Sequence, residues 1–193
     1  MHTFIQFWTT HVAHVPDVAI AFVQAYAKVV DYSLGTYLVR AGDFWPYWNL
    51  VLEGAVMALY YAEDGSVAVP WLVTAGGYFT GTAHAFTKRR DEVFIQALDD
   101  TRVMQLPNAR LQQAQQQYHT FSELINILKQ RRIEQDALLD HVFRQTGGEA
   151  RVAAFFEAYP RLAPLLPMQQ VCAILQISES TYKRGKRGYY RKW

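Results

Sequence analysis

The sequence predicts an α+β chain with an N-terminal antiparallel, jelly-roll-like β-roll, one long dimerisation helix and a C-terminal helix-turn-helix. Three observations predict it. Between Ser33 and Pro107, short runs rich in Val, Leu, Tyr, Trp and Phe alternate with turn clusters. From Asn108 to Thr146, Pro and Gly are absent. Beyond Gly147-Gly148 the chain becomes compactly helical again and ends on basic residues. The units so marked are residues 1–107, 108–146 and 147–193.

The opening stretch, to about Val30, reads as a packing helix. Pro16 and Asp17 suit a first turn, and Ala19, Phe22, Val23, Tyr26 and Val30 recur at helical spacing. The strands follow. Their breaks fall at Ala41-Gly42-Asp43, Glu63-Asp64-Gly65-Ser66 and Ala75-Gly76-Gly77, where Gly supplies positive φ and Asp or Ser folds back on the local backbone. Asp64-Gly65, between Val56–Tyr61 and Val67–Val73, signals a hairpin. Strands at this spacing imply an antiparallel sandwich or barrel.

The stretch from Asn108 is rich in Gln, Leu, Ala and Arg, all good helix formers. Its apolar stripe runs through Tyr118, Phe121, Ile125, Leu128, Leu138, Leu139 and Val142. Such a helix approaches roughly 55 Å and is expected to bury its stripe against a second copy. The alternative is two shorter helices folded onto the sheet, with a break at Arg131-Arg132. After Gly147-Gly148, Glu149–Ala158 is amphipathic, Tyr159-Pro160 stops it, and Pro167 is placed to open the next helix.

Composition narrows the function classes. A chain of 193 residues with 51% hydrophobic and 19% charged residues can bury a core. The lone Cys172 excludes an internal disulfide framework or a multi-cysteine metal site, which favours a reducing, cytoplasmic setting. Val15–Val30 is interrupted by Pro16, Asp17, Gln24 and Lys28, too often for a bilayer span of about 20 apolar residues. No basic n-region precedes it, so no secretory signal is expected. The net charge is +2, yet Lys183, Arg184, Lys186, Arg187, Arg191 and Lys192 crowd the end against Glu179 alone. That asymmetry suggests a polyanionic partner, with a solvated tail as the bland alternative.

Met168–Gln176 reads as a short helix, Ile177-Ser178 as a turn, and a second helix begins near Glu179. Val171, Leu175, Ile177 and Tyr182 supply anchors, Cys172 is the small crossing residue, and Ser178 caps the second helix. Cys172 therefore packs and is not a nucleophile. Ser178, Ser180, Thr181, Lys183, Arg184, Lys186 and Arg187 are the candidate DNA-binding residues. Arg184 suits a bidentate guanine contact, while Lys183, Lys186, Arg187, Arg191 and Lys192 suit phosphates.

Taken together, Leu38–Asp43 (LVRAGD), Leu50–Ala58 with Glu53-Gly54, the Gly77–Gly81 turn, Ala150–Pro160 (ARVAAFFEAYP) and Pro167–Arg184 (PMQQVCAILQISESTYKR) resemble the Crp/Fnr family of bacterial transcription regulators. The likeness runs from about Phe4 to Lys186 and is strongest to short members lacking a C-terminal wing. It implies a cyclic-nucleotide-binding-type β-roll, a dimerisation helix and a DNA-reading helix. The implied partners are double-stranded DNA, a second copy of the chain, an unknown small-molecule effector and, further, RNA polymerase.

The chain departs from that family in two places. The family's cyclic-nucleotide cassette uses a Gly-Glu pair for the ribose and an Arg-Ser pair for the phosphate. Here Gly81 is followed by Thr82, and the second pair falls on Asp91-Glu92. A carboxylate facing a phosphate at 4 Å costs about 4 kcal/mol at an effective dielectric near 20, so cyclic AMP or GMP is disfavoured. Lys88, Arg89 and Arg90 leave room for a differently placed anion. The candidate effector pocket is Tyr78, Phe79, Gly81, Thr82, Asp91 and Glu92. In the reading helix, Gln176 stands at the usual turn Gly, Gly185 at an apolar anchor, and Gly188 follows, each costing about 1 kcal/mol. The helix is then expected to be short, or ordered only on DNA.

The six histidines show no metal spacing beside a third ligand. His84 and His119 are the pair that the resemblance to gas-sensing relatives would offer to haem, although packing or surface roles are the default. Trp45, Tyr47, Trp48, Tyr60, Tyr61, Trp71, Tyr78 and Phe79 either fill a core or line a pocket for a planar effector. The sequence has no Walker loop, nucleophile elbow, cupin-like His and Glu pattern or paired carboxylates, so an enzyme is not expected and no cofactor is called. The expected function is a dimeric DNA-binding regulator. The alternative is a ligand-binding or protein-interaction module with a degenerate DNA helix.

Overall fold

The computed structural model describes residues 1–63, 67–82, 84, 87, 89–90 and 92–191. The hairpin turn expected at Asp64-Gly65-Ser66 lies outside them, as do Lys88, Asp91 and Lys192.

Helices α1 (His2–His11) and α2 (Asp17–Tyr26) precede strands β1 (Lys28–Tyr32), β2 (Tyr37–Val39), β3 (Trp45–Glu53), β4 (Ala55–Tyr61), β5 (Val67–Ala68), β6 (Leu72–Thr74), β7 (Tyr78–Gly81), β8 (Phe94–Ala97) and β9 (Thr101–Pro107). Helices α3 (Asn108–Gln117), α4 (His119–Phe143), α5 (Gly148–Ala158), α6 (Met168–Leu175) and α7 (Glu179–Tyr190) complete the chain. The opening stretch is therefore two helices, and the expected helical spacing ends at Tyr26. Val30 belongs to β1, where it pairs with Val103 of β9.

Two antiparallel sheets face each other. One runs β1-β9-β3-β7, the other β2-β8-β4-β5, with β6 also paired to β4. Val39, Val51, Val56, Val73, Phe79, Ile95 and Val103 fill the space between them. The outer face of the first sheet, through Trp48, Leu50, Met104 and Leu106, is roofed by Phe4 and Trp8 of α1 and by Phe121, Leu124 and Leu128 of α4. The outer face of the second, through Met57, Leu59 and Leu72, packs on Leu139 and Val142 of α4 and on the α5–α7 unit.

The long helix differs from expectation in two respects. It breaks at Tyr118, whose backbone is extended (φ −129, ψ 107), and runs unbroken through Arg131-Arg132. No Pro or Gly marks the break. Tyr118 sets its ring edge-on against Phe22 at 5.7 Å, which turns α3 onto β3, β9 and α2 while α4 crosses α1. At 1.5 Å per residue, α4 is about 37 Å long. In addition, the apolar stripe is consumed within the chain: Phe121, Leu128 and Val142 are wholly buried, and Ile125 and Leu139 nearly so. Ile133 (62% exposed) and Leu138 (43%) are what α4 leaves to solvent among its large apolar side chains.

Candidate nucleic-acid interface and effector pocket

The C-terminal unit is built from α5, α6 and α7. Val171, Ile174 and Leu175 bury one side of α6 completely. The helix ends on Gln176 in the left-handed region (φ 54, ψ 51). The amide of Ile177 donates to Cys172 O at 3.1 Å and that of Gln176 to Ala173 O at 3.4 Å. These are the two bonds of a Schellman motif, made here with Gln where Gly is usual. Ser178 then caps α7, its Oγ accepting from the Thr181 amide at 3.3 Å. The turn and the cap thus stand where the sequence places them, and the left-handed position where the family resemblance would put its turn Gly.

Helix α7 runs unbroken over twelve residues, through both glycines, and so is not shortened as expected. Gly185 is buried because α5 crosses there: a Cβ on it would meet Val152 Cβ at 2.7 Å and Glu149 Cα at 3.1 Å. One turn earlier the Thr181 methyl sits over Gly148, where a Cβ would lie 2.5 Å from it. Gly185 thus substitutes for an apolar anchor by letting two backbones approach. Gly188 faces open space.

Of the seven candidate contact residues, the fold brings Ser180, Lys183, Arg184 and Arg187 onto one exposed face. Ser178 is exposed but engaged as the cap, and Thr181 turns toward α5. Lys186 folds back, with its ammonium 5.6 Å from the Tyr182 ring centre and 5.8 Å from that of Phe156. Lys183 pairs with Glu179 at 3.6 Å. The Arg184 Nε donates to Glu149 Oε1 of α5 at 2.6 Å. Glu149 is a residue that sequence reasoning missed. It lies 35 positions away, and no local period links it to α7. Cys172 is partly buried in the C-terminal core. Burial first, then the Glu179 carboxylate, raise its thiol pKa, against a smaller opposing effect of Lys183.

A second candidate site lies between the roll and α4. A cavity of about 250 Å³ is lined by Trp71, Tyr78, Phe79, Thr80 and Thr82 of the roll, and by Arg132 and Asp136 of α4. The Arg132 guanidinium lies 4.7 Å over the Trp71 ring centre, donates through Nη1 to Tyr78 O at 2.9 Å, and pairs through Nε with Asp136 at 2.9 Å. Burial is the main cause that raises the Tyr78 phenol pKa. One turn on, Gln135 Nε2 donates to Thr74 Oγ1 at 3.1 Å, and its Oε1 occupies the space a Cβ on Gly77 would need.

Of the candidate effector-pocket residues, Tyr78, Phe79 and Thr82 line this cavity. Gly81 does not; a Cβ there would collide with Trp45. Glu92 is exposed and is not among the lining residues. Of the expected aromatic load, Trp71, Tyr78 and Phe79 reach the cavity, whereas Tyr60 and Tyr61 lie exposed on β4. Thr80, Arg132 and Asp136 were not foreseen. The last two are four apart on a helix, a spacing that ordinarily marks a solvated ion pair.

His119 is exposed and pairs with Glu123 at 3.5 Å, and His84 is exposed too. Among the described residues no group of three or more His, Cys, Asp or Glu is placed to hold a metal, and no helix is long and apolar enough to cross a membrane.

Comparison with known proteins fits this architecture. Residues 29–118 match the family described as Cyclic nucleotide-binding domain. FixK2 from Bradyrhizobium japonicum has a similar structure, at 15% identity and TM-score 0.69, over 86% of this chain and 85% of its own. The c-di-GMP responsive global regulator CLP of Xanthomonas campestris is similar at 14% identity and TM-score 0.68, over 92% of this chain and 93% of its own. A CRP-family transcriptional regulator from Thermus thermophilus is similar at 12% identity and TM-score 0.69, over 84% of this chain and 85% of its own. No curated protein sequence matches the chain. The CLP and Thermus thermophilus structures are those of regulators.

Proposed function

We propose that the chain, whose fold is similar to that of a CRP-family regulator and whose residues 29–118 match the cyclic-nucleotide-binding domain family, is a cytoplasmic, homodimeric, DNA-binding transcription regulator of the Crp/Fnr type. Residues 1–107 form its sensor, 108–146 its connector and 147–193 its DNA-binding unit. One observation carries the reading: a capped helix, seated on α5 and α6, that turns Ser180, Lys183, Arg184 and Arg187 outward together. Lysine and arginine on such a face meet phosphates and guanine edges. Self-pairing uses the outer side of α4, where exposed Asn126, Gln130, Ile133 and Ala137 follow alternating steps of four, three and four. Two α7 helices would then enter successive major grooves about 34–36 Å apart.

The roll senses a small molecule other than cyclic AMP or GMP. Thr82 replaces the expected acid, and its hydroxyl is engaged with His84 O at 2.9 Å. Arg132, Asp136 and Trp71 offer a mixed polar and aromatic surface instead. RNA polymerase is the further partner through which such a chain would change transcription. Of the three residues that motivate the alternative of a degenerate α7, Gln176, Gly185 and Gly188, Gly185 has a packing reason. A gel-shift titration against duplex DNA at low and moderate salt tests the proposal. Binding that weakens steeply with salt is the expected result. An absence of any duplex complex at low salt overturns it.

A further inference from the structure

The Arg184–Glu149 pair joins α7 to a helix that supplies none of the candidate DNA-contact residues but packs closely against α7. Its geometry is directional: the carboxylate takes Nε, at 2.6 Å. Among the described residues the pair engages Nε alone, so the Nη1–Nη2 edge stays as two parallel donors, the fork that reads guanine O6 and N7 together. Glu149 is itself firmly placed. It is the second residue of α5, one turn before Val152, and its Cα forms part of the close α5–α7 crossing at Gly185. The carboxylate therefore sits on backbone that cannot retreat without opening that crossing. A flexible arginine samples many rotamers, and one held at Nε loses fewer on contacting a base.

We propose that Glu149 is a specificity-determining positioning residue, which holds the Arg184 guanidinium with its outer edge presented to a guanine. The inference rests on the DNA-binding reading above. It adds that part of the base discrimination resides in α5, outside the helix-turn-helix itself. A carboxylate near DNA has a second effect, uniform repulsion of phosphates, and the two effects separate by substitution. Glu149→Ala removes both the charge and the acceptor. Glu149→Gln removes the charge and keeps an oxygen that accepts from Nε.

The test selects bound sequences from a random duplex pool with the wild-type chain, then titrates wild type, Glu149→Ala, Glu149→Gln and Arg184→Lys against the selected site and against the same site with its guanine replaced. Positioning predicts that Glu149→Ala loses about fivefold or more of the discrimination, while Glu149→Gln keeps most of it. Arg184→Lys, which has no fork, should lose discrimination as Glu149→Ala does. Both Glu149 variants should bind non-specific duplex somewhat more tightly, since each loses the same negative charge. If Glu149→Ala keeps the wild-type base preference, or if Ala and Gln lose it equally, the positioning role is overturned while DNA binding stands. A wild-type chain that binds no duplex overturns both.

Discussion

Replacing Gly185 and Gly188 by alanine, one at a time, places the same methyl group on the same helix in opposite surroundings. Alanine gains about 1 kcal/mol of helix propensity over glycine at either position. That gain cancels in the comparison and leaves the packing difference. At Gly188 a Cβ meets nothing, so Gly188→Ala should stabilise the fold by about 1 kcal/mol. At Gly185 the new Cβ falls 2.7 Å from Val152 Cβ and 3.1 Å from Glu149 Cα. The second neighbour is backbone, so relief requires α5 to move. Forcing a methyl into a well-packed contact costs about 1–3 kcal/mol, and rigid neighbours put this site toward the upper part of that range. Thermal unfolding at one fixed protein concentration reads the difference, at about 2–4 °C per kcal/mol for a chain of this size. Gly185→Ala should melt several degrees below Gly188→Ala. If it melts at or above Gly188→Ala, the close crossing is wrong, and Gly185 is an ordinary helix defect.

Gln176→Gly should raise stability by about 1 kcal/mol in denaturant titration, because glycine occupies the left-handed position at φ 54 without strain. Tyr159→Phe should stabilise at neutral pH by about 1 kcal/mol or more, since the phenol oxygen is buried with no hydrogen-bond partner among the described residues. Burial, and then Asp136, raise the folded pKa of that phenol above its ordinary value. Its neutral form is therefore favoured by folding, and stability present below about pH 10 is lost as pH rises beyond it. Urea titrations at neutral and alkaline pH should show Tyr159→Phe losing less stability than wild type, and equal losses would contradict the assignment. The thiol of Cys172, the one cysteine in the chain, should react with iodoacetamide more slowly in the native protein than after unfolding, because its pKa is raised. Equal rates at pH 8 would count against its burial.

What was legible in the sequence is what local rules decide. The cap at Ser178 and the positive φ at Gly42 and Gly76 each follow from a few neighbouring positions, whereas the left-handed conformation of Gln176 was suggested only by the family resemblance. The strand segments were legible for the same reason, since turn residues punctuate them. Interactions that join distant segments were not. Glu149 reaches Arg184 because two glycines, Gly148 and Gly185, permit a close crossing, and in the sequence those glycines look like weakness. Arg132 and Asp136 look like a solvated pair, yet Arg132 is drawn over Trp71 because the β6–β7 turn comes up against α4. The break at Tyr118 has no residue-level signal at all. It is imposed by where α3 and α4 must each find a surface to cover.

Helix α4 shows how that competition bears on regulation. Its inner side is committed in sequence: Leu124, Ile125 and Leu128 to the first sheet's roof, Arg132 and Gln135 to the roll at Tyr78 and Thr74, Leu139 and Val142 to the C-terminal core. One unbroken rod therefore touches the cavity at Arg132 and the base of the C-terminal helical unit at Leu139, separated by seven residues, about 10 Å. Its outer side retains Asn126, Gln130, Ile133 and Ala137, too little apolar surface for strong pairing by burial alone. In the proposed dimer a seam of that kind would select register through its polar residues and bind only modestly. Small rotations of α4 at Arg132 would then change how two copies fit together more readily than they would disturb either fold. In the proposed regulator that is where an effector would act, by favouring one pairing of α4 over another.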